Sequence, residues 1–382
     1  MRYIKKHILL DLQKKMVLIG GPRQCGKTTL ALEIVKDFPY RPSGIGKYYL
    51  WDDDNDRADV LKQAWPQSAQ LVVIDELHKY KRWRNWLKGA FDKQRSNRTF
   101  LITGSARLDL YRRGGDSLLG RYHYWRLHPF TLSEIPQGIF KEDAFSRLLR
   151  LGGFPEPFLA NDELTAKRWR RERLDRVLRE DVRELEAIQD LSSLRLLVDE
   201  LRARVGRSVV MSNIAEDLQV APATVKRWVD VLCAMYLCFT VYPLSRNLPR
   251  AIQRPPKVFF YDNGDVTGNE GAVFENMVAT HLLKRIQFLE DATGVGYELR
   301  YIRDKEKREV DFVITKDGKV DELIEAKVSE DAPGTSIRYY QRLLKPRRAV
   351  QIVRDLKAAR FVAGVEVVPA IEELSRPLEI PS

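Results

Sequence analysis

Residues 21–30 read Gly-Pro-Arg-Gln-Cys-Gly-Lys-Thr-Thr-Leu, and they restrict the fold more than any other stretch of the chain. The apolar run Met16–Ile19 precedes them, and Leu30, Ala31 and Ile34 follow at helical spacing. That order predicts a short buried strand, a glycine-rich loop and a helix. Glycines let successive backbone N–H groups wrap an anion, and the helix N-terminus faces it. The Gly-x4-Gly-Lys-Thr pattern is complete, so Gly21, Gln24, Gly26, Lys27, Thr28 and Thr29 are the candidate nucleotide contacts. Lys27 would reach the β- and γ-phosphates and Thr28 would ligate Mg²⁺, which makes ATP and Mg²⁺ the expected cofactors.

Such a site needs a carboxylate at the end of a neighbouring strand. The stretch Ala-Gln-Leu-Val-Val-Ile-Asp-Glu-Leu, residues 69–77, supplies Asp75 for the Mg²⁺ shell and Glu76 to polarise the attacking water. A third apolar strand, in Thr99–Leu108, ends in Thr103, Gly104 and Ser105, and Ser105 is the candidate contact to the γ-phosphate or its water. Arg121, in Ser-Leu-Leu-Gly-Arg-Tyr, is a candidate stabiliser of the transferred phosphoryl group, in cis or across a subunit interface. Its plainer reading is an ordinary surface arginine.

These segments, with YYLWDDD, VVIDELHKYKRW, SLLGRYHYWRLHPFTLSEI, GGFPEPF and REDVREL in this order, resemble a large prokaryotic family of AAA+-like ATPases. That family carries a C-terminal domain of long-unknown function. The resemblance runs along essentially the whole chain. It implies an α/β protein with a P-loop AAA+-like core, a helical, winged-helix-like segment and an α/β restriction-nuclease-like domain. The expected boundaries are 1–140, 141–255 and 256–382. AAA+-like cores often act as rings, so a homo-oligomer, a hexamer among the options, is expected by analogy. Cys25 inside the loop departs from the family pattern without disturbing the motif.

Bulk properties narrow the setting. The 382 residues suit two or three domains. No apolar run reaches the roughly 18 residues of a membrane span. The opening MRYIKKHILLDLQKK has scattered charges and no small-residue cleavage site, so no signal peptide and no membrane association are expected, and the reading is cytoplasmic. Three cysteines fit neither a disulfide framework nor a zinc site. A net charge of +12 favours polyanionic partners, DNA first among them.

Two later regions bear on DNA. In residues 209–238, Ser212 is expected to cap a helix over 213–218, Gln219 and Val220 to turn, and a second helix to open near Ala221–Pro222. Ala223, Thr224, Lys226 and Arg227 would then face outward as DNA contacts, with Val225, Val229 and Leu232 inward and a wing in Cys238–Asn247. Winged helices also serve as protein-binding modules. The basic run Lys167–Arg173 reads either as a phosphate-tracking segment or, more plainly, as the solvated face of an amphipathic helix.

From about Lys257 the pattern changes to strands with one helix. Glu275 lies on that helix, Asp311 on one strand, and Glu325 and Lys327 on another, two residues apart and therefore on one face. The set matches the Asp…Glu-x-Lys signature of restriction-type nucleases. In that reading Asp311 and Glu325 bind Mg²⁺, Glu275 completes the shell, and Lys327 positions or deprotonates water. Glu309 shares the face of Asp311, and Gln341 falls where such folds carry a phosphate-contacting helix. The leading expectation is an ATPase that couples hydrolysis to DNA processing, on branched DNA among other forms. The alternatives are a nucleotide-regulated nuclease and an ATP-driven switch acting on a protein partner.

Overall fold

The structure, a computed structural model, describes residues 2–104, 118–182, 190–245, 254–330 and 332–380. The chain forms two compact units, Met1–His128 and Pro129–Ser382.

In the first unit, β1 (Met16–Gly20), β2 (Ile45–Leu50), β3 (Ala69–Asp75), β4 (Thr99–Thr103) and β5 (Tyr122–Arg126) form one sheet in the order β2-β3-β4-β1-β5. Every neighbouring pair is parallel. Parallel strands need crossovers that cover both faces, so their interior strands read as continuous apolar runs. β1 is buried at all five positions, and Leu71–Ile74 of β3 and Phe100–Thr103 of β4 are buried throughout. The crossover helices are α2 (Lys27–Asp37), α3 (Asp54–Lys62) and α4 (Trp83–Gln94), with α1 (Lys5–Asp11) ahead of β1. Val72, Ile74, Phe100 and Ile102 pack with Trp65, Trp83 and Leu87 into one core. The Asp53 side chain caps α3 by accepting from the N–H groups of Asn55 and Asp56, so the acidic run after β2 has a structural part. Because β4 inserts between β1 and β3, the C-terminal ends of these three strands lie side by side, the usual place for a ligand in such a sheet.

The second unit begins with helices α5 (Lys141–Leu151), α6 (Pro155–Ala160), α7 (Glu163–Arg176), α8 (Leu191–Ala203), α9 (Met211–Asp217) and α10 (Pro222–Ala234). A mixed sheet of eight strands follows: β6 (Cys238–Pro243), β7 (Lys257–Phe260), β8 (Tyr297–Arg303), β9 (Glu309–Lys316), β10 (Lys319–Lys327), β11 (Arg348–Val353), β12 (Arg360–Val362) and β13 (Val365–Pro369). Their order is β12-β13-β11-β10-β9-β8-β6-β7. α11 (Glu270–Thr293), α12 (Thr335–Leu344) and α13 (Ala370–Leu374) complete the unit. The fold is thus α/β, a parallel-sheet P-loop core followed by a mixed-sheet domain.

Several local expectations change. In place of the wing expected over Cys238–Asn247, Cys238–Pro243 is a strand of the large sheet, antiparallel to β7 and parallel to β8. The sheet therefore begins before residue 256. The helix after Val209 starts at Met211 with Val210 as its N-cap, so Ser212 lies inside it. Gln219 turns the chain with φ of +53° before α10, where Pro222 occupies the first turn. The basic run on α7 is divided. Lys167, Arg168 and Arg171 are exposed. Arg170, by contrast, meets Asp262 at 3.1 Å, and buried Arg173 meets Asp265 at 3.3 Å while lying 4.1 Å from the Phe154 ring centre. Two of the five basic residues of that run form internal ion pairs rather than part of a solvated or DNA-tracking face.

Candidate functional site

The loop between β1 and α2 has little room for side chains. A Cβ on Gly20 would fall 1.6 Å from the Tyr124 hydroxyl, and one on Gly21 2.3 Å from the Leu127 carbonyl oxygen. Gly21 has φ of +129°, Gln24 +59° and Gly26 +94°, so the backbone bends through conformations that favour glycine. Gly26 is the N-cap of α2. Gln24, Thr28 and Thr29 are exposed, whereas Lys27 is buried. The Lys27 ammonium donates to the Gly21 carbonyl at 3.1 Å and to the Pro22 carbonyl at 2.6 Å, which places a positive charge inside the curve of the loop.

Asp75 ends β3 and is buried. Its Oδ2 accepts from Thr28 Oγ1 at 2.6 Å and from the Tyr48 hydroxyl at 2.8 Å, and its Oδ1 accepts from Thr103. Four elements thus converge on one carboxylate: α2, β2, β3 and β4. Burial, with Asp75 adding to it, holds the Tyr48 phenol in its protonated form. Glu76 follows with φ of +61°, an uncommon conformation for a non-glycine residue, and its N–H bonds the Thr103 carbonyl. Burial raises the Glu76 carboxyl above its usual range; Lys27 and Lys79 pull it back, and Asp75 pushes it up. Lys79 lies 3.8 Å and His78 3.7 Å from the Glu76 carboxylate. The residues present fit a Mg²⁺-bound nucleotide: a hydroxyl already joined to a carboxylate, a lysine inside an anion-binding loop and a second acid beside them.

Arg121 lies elsewhere. Its carbonyl accepts from the Met16 N–H at the start of β1, whereas the loop leaves from the far end of that strand. At ~3.3 Å per residue the strand separates them by roughly 13 Å. Its guanidinium grips Asp92 of α4 at 2.8 and 3.0 Å. It lines a cleft of about 870 Å³ with Lys14, Lys15, Arg41 and Arg95. The structure brings Lys27, Thr28, Asp75 and Glu76 together and leaves Arg121 at the opposite, N-terminal end of the strands. Ser105 lies outside the described residues. Tyr48 and the role of Thr103 as an Asp75 ligand had no sequence signal beyond a hydroxyl near a strand end.

The carboxylates of the second unit also gather. In the antiparallel pair of β9 and β10, Phe312 faces Ile324, so Asp311 and Glu325 come opposite one another. Asp311 Oδ2 accepts from the Ala326 N–H at 2.9 Å. Lys327 Nζ lies 3.6 Å from Glu325 Oε1. Glu275 of α11 and Glu309 of β9 join them through Lys257, which the sequence reading did not single out. Lys257 is 1% exposed, and its Nζ lies 3.1 Å from Glu275, 2.6 Å from Glu309 and 3.9 Å from Asp311. Burial and then Asp311 push the carboxyls of both Glu275 and Glu325 up to about 7, against the pull of Lys257 and Lys327 respectively.

A restriction-type site calls for a divalent ion here, and the donors do not fit one. Mg²⁺ needs several oxygens at about 2.1 Å. Glu309, Glu275 and Asp311 Oδ1 face an ammonium, and Asp311 Oδ2 is held by a backbone N–H. A Cβ on Gly206 would fall 2.3 Å from Glu275 Oε2, so the chain closes over that oxygen. Among the described residues, no group of three His, Cys, Asp or Glu side chains is set to hold a metal. Gln341 lies on α12 with its amide beside Gly364, whose Cβ would fall 2.8 Å from it.

On α10, Lys226 and Arg227 are exposed and Thr224 is half-buried, while Val225, Val229 and Leu232 are buried.

Three family models match successive stretches of the chain. One described as AAA domain matches residues 13–136. Two described as domains of unknown function, DUF8612 and DUF4143, match 142–267 and 270–372. An uncharacterized protein of Mycobacterium tuberculosis is 28% identical over 254 residues, 65% of this chain and 54% of that protein. An uncharacterized protein of Methanocaldococcus jannaschii is 24% identical over 365 residues, 87% of this chain and 79% of that protein. The match thus spans about half the length of the mycobacterial relative. Among solved structures, the Aeropyrum pernix Orc1 protein in complex with DNA is similar at 12% identity and a TM-score of 0.34, over 75% of this chain and 94% of that one. Residues 13–136 thus match an AAA domain model and carry the parallel-sheet P-loop core. No helix among the described residues is long and apolar enough to cross a membrane.

Proposed function

We propose that this protein is a Mg²⁺-dependent ATPase that binds DNA and couples hydrolysis to work on it, acting as a homo-oligomer. The observation that carries the ATPase part is the joining of Thr28, Asp75 and Thr103 beside a loop that holds Lys27 inside its curve. Backbone N–H groups from Arg23 to Thr29 and the Lys27 ammonium bind the phosphates. Thr28 and Asp75 would hold Mg²⁺, which when bound neutralises charge on the phosphate oxygens. Glu76 orients the attacking water and takes its proton. Its raised carboxyl is the more basic for that task. Arg121, at the N-terminal end of the strands, would serve the site of a neighbouring copy rather than its own.

The DNA part rests on the net charge of +12 and on the helix-turn-helix arrangement of α9 and α10, which leaves Lys226 and Arg227 exposed on the second helix. Such contacts are electrostatic, so binding should weaken steeply with salt. The test is steady-state ATP hydrolysis with Mg²⁺, alone and with single-stranded, duplex and four-way-junction DNA. Strong stimulation by one form supports the reading and names the substrate. A rate indifferent to every DNA rejects the DNA coupling and favours a switch that acts on a protein partner.

A nucleotide-regulated nuclease has one observation in its favour, the juxtaposition of Asp311, Glu325 and Lys327 on adjacent strands. It requires a divalent ion that the donors there do not accommodate.

A further inference from the structure

The carboxylate cluster of the second unit raises a question apart from nucleotide hydrolysis: what balances its charge. Glu275, Glu309 and Asp311 come from α11 and β9, and a lysine from β7 reaches into their midst, while Glu325 of β10, opposite Asp311, is paired with Lys327 at 3.6 Å. Lysine is almost never fully buried unless paired, and isolated buried charge is costly. Lys257 meets that condition with three carboxylates and the face of Tyr301, whose ring centre is 5.5 Å from Nζ. Tyr301 is itself fixed by a 2.7 Å bond from its hydroxyl to the Pro255 carbonyl, two residues before Lys257. Arg303 adds a second cation, 3.6 Å from Glu309. Glu325 Oε2 is buried and has no hydrogen-bond partner. One such oxygen does not make an octahedral ion site.

We infer that Lys257 is the resident cation of this cluster, standing where a restriction-type fold would hold a divalent ion, so that the C-terminal sheet carries a metal-independent, non-cleaving carboxylate site. The consequence for recognition is specific. With Lys257 engaged by carboxylates inside the fold and no ion to bridge them, the cluster offers a phosphodiester no cation, so DNA contact belongs to other surfaces of the chain. The inference does not depend on the ATPase reading.

The test is Mn²⁺ binding followed by electron paramagnetic resonance on the nucleotide-free full chain, with the Lys257→Met and Asp311→Asn variants alongside. The wild-type chain should hold no Mn²⁺ that Asp311→Asn removes. Lys257→Met should gain about one ion per chain, because the carboxylates then lack their countercharge. If wild-type protein binds Mn²⁺ and Asp311→Asn abolishes that binding, the inference is overturned, and this comparison holds even if Lys257→Met fails to fold. A folded Lys257→Met protein that still takes no Mn²⁺ would also overturn the role given to Lys257. Mn²⁺ binding that Asp311→Asn leaves unchanged lies elsewhere and counts as the expected result.

Discussion

Two groups of acids in this chain gather at or beside strands, and the central carboxylate of each has different neighbours. Around Asp75 the neighbours are hydroxyls: Thr28, Tyr48 and Thr103 donate to it and bring no charge. Around Glu275, Glu309 and Asp311 the central neighbour is an ammonium, that of Lys257. Hydroxyls orient a carboxylate and leave its charge available to a cation that arrives with substrate. A buried lysine consumes that charge within the fold. The same residue types therefore make, in the function proposed, a site for a metal–nucleotide complex in one unit and a self-neutralised cluster in the other. Residue type and spacing alone do not separate these outcomes; the third party in the site does.

The contrast can be broken in order of expected effect. Glu76→Gln should bind ATP and hydrolyse it about 10²–10⁴-fold more slowly, since a water-activating base is lost; normal turnover in a steady-state assay would remove Glu76 from that role. Lys27→Ala should cost about 10²–10³-fold in hydrolysis by removing a preorganised charge from the phosphates. In the second unit Lys257→Ala should destabilise by about 3–5 kcal/mol, the scale for stripping one partner from a buried ion pair, as read from denaturant unfolding. Loss of stability comparable to an exposed pair would show that the cluster is wetter than described.

A gentler change sharpens the comparison through pH. The Glu325 carboxyl is pushed up to about 7 by burial and by Asp311. A raised carboxyl favours the protonated folded state. Its contribution is therefore present in full below the unfolded value and is lost as pH rises through about 7. Glu325→Gln should then gain stability relative to wild type at pH 8, by on the order of 1–3 kcal/mol, and little or nothing at pH 4. Equal effects at both pH values would contradict the burial described for this group. Arg121→Ala should leave stability unchanged because its pair with Asp92 is exposed. If it acts across a subunit interface, mixing it with Lys27→Ala protein should restore part of the hydrolysis that either variant lacks alone.

The proposed nucleotide site has a sequence signal because its parts are local. Gly21 to Thr29 act within one turn of chain, and Asp75 and Glu76 end an apolar strand that the eye can find. The order α/β, P-loop core first, followed from the same pattern. Lys257 was not legible, since its meaning depends on Glu275, Glu309 and Asp311, 18 to 54 residues away in sequence and joined only by the sheet and α11. The strand Cys238–Pro243 was misplaced for a related reason: a short apolar run predicts a strand but not which sheet receives it. Arg170 and Arg173 read as solvated because helical spacing cannot show that Asp262 and Asp265 lie opposite them. In each case the missing information was a long-range partner.

The most direct test of the account counts metal ions. Wild-type chain is titrated with Mn²⁺ in the presence of a non-hydrolysable ATP analogue, with Lys27→Ala and Asp311→Asn proteins measured beside it. The account predicts one tightly held ion per chain, lost with Lys27→Ala and untouched by Asp311→Asn. A second ion that disappears with Asp311→Asn, or a nucleotide-dependent ion that survives Lys27→Ala, would contradict it.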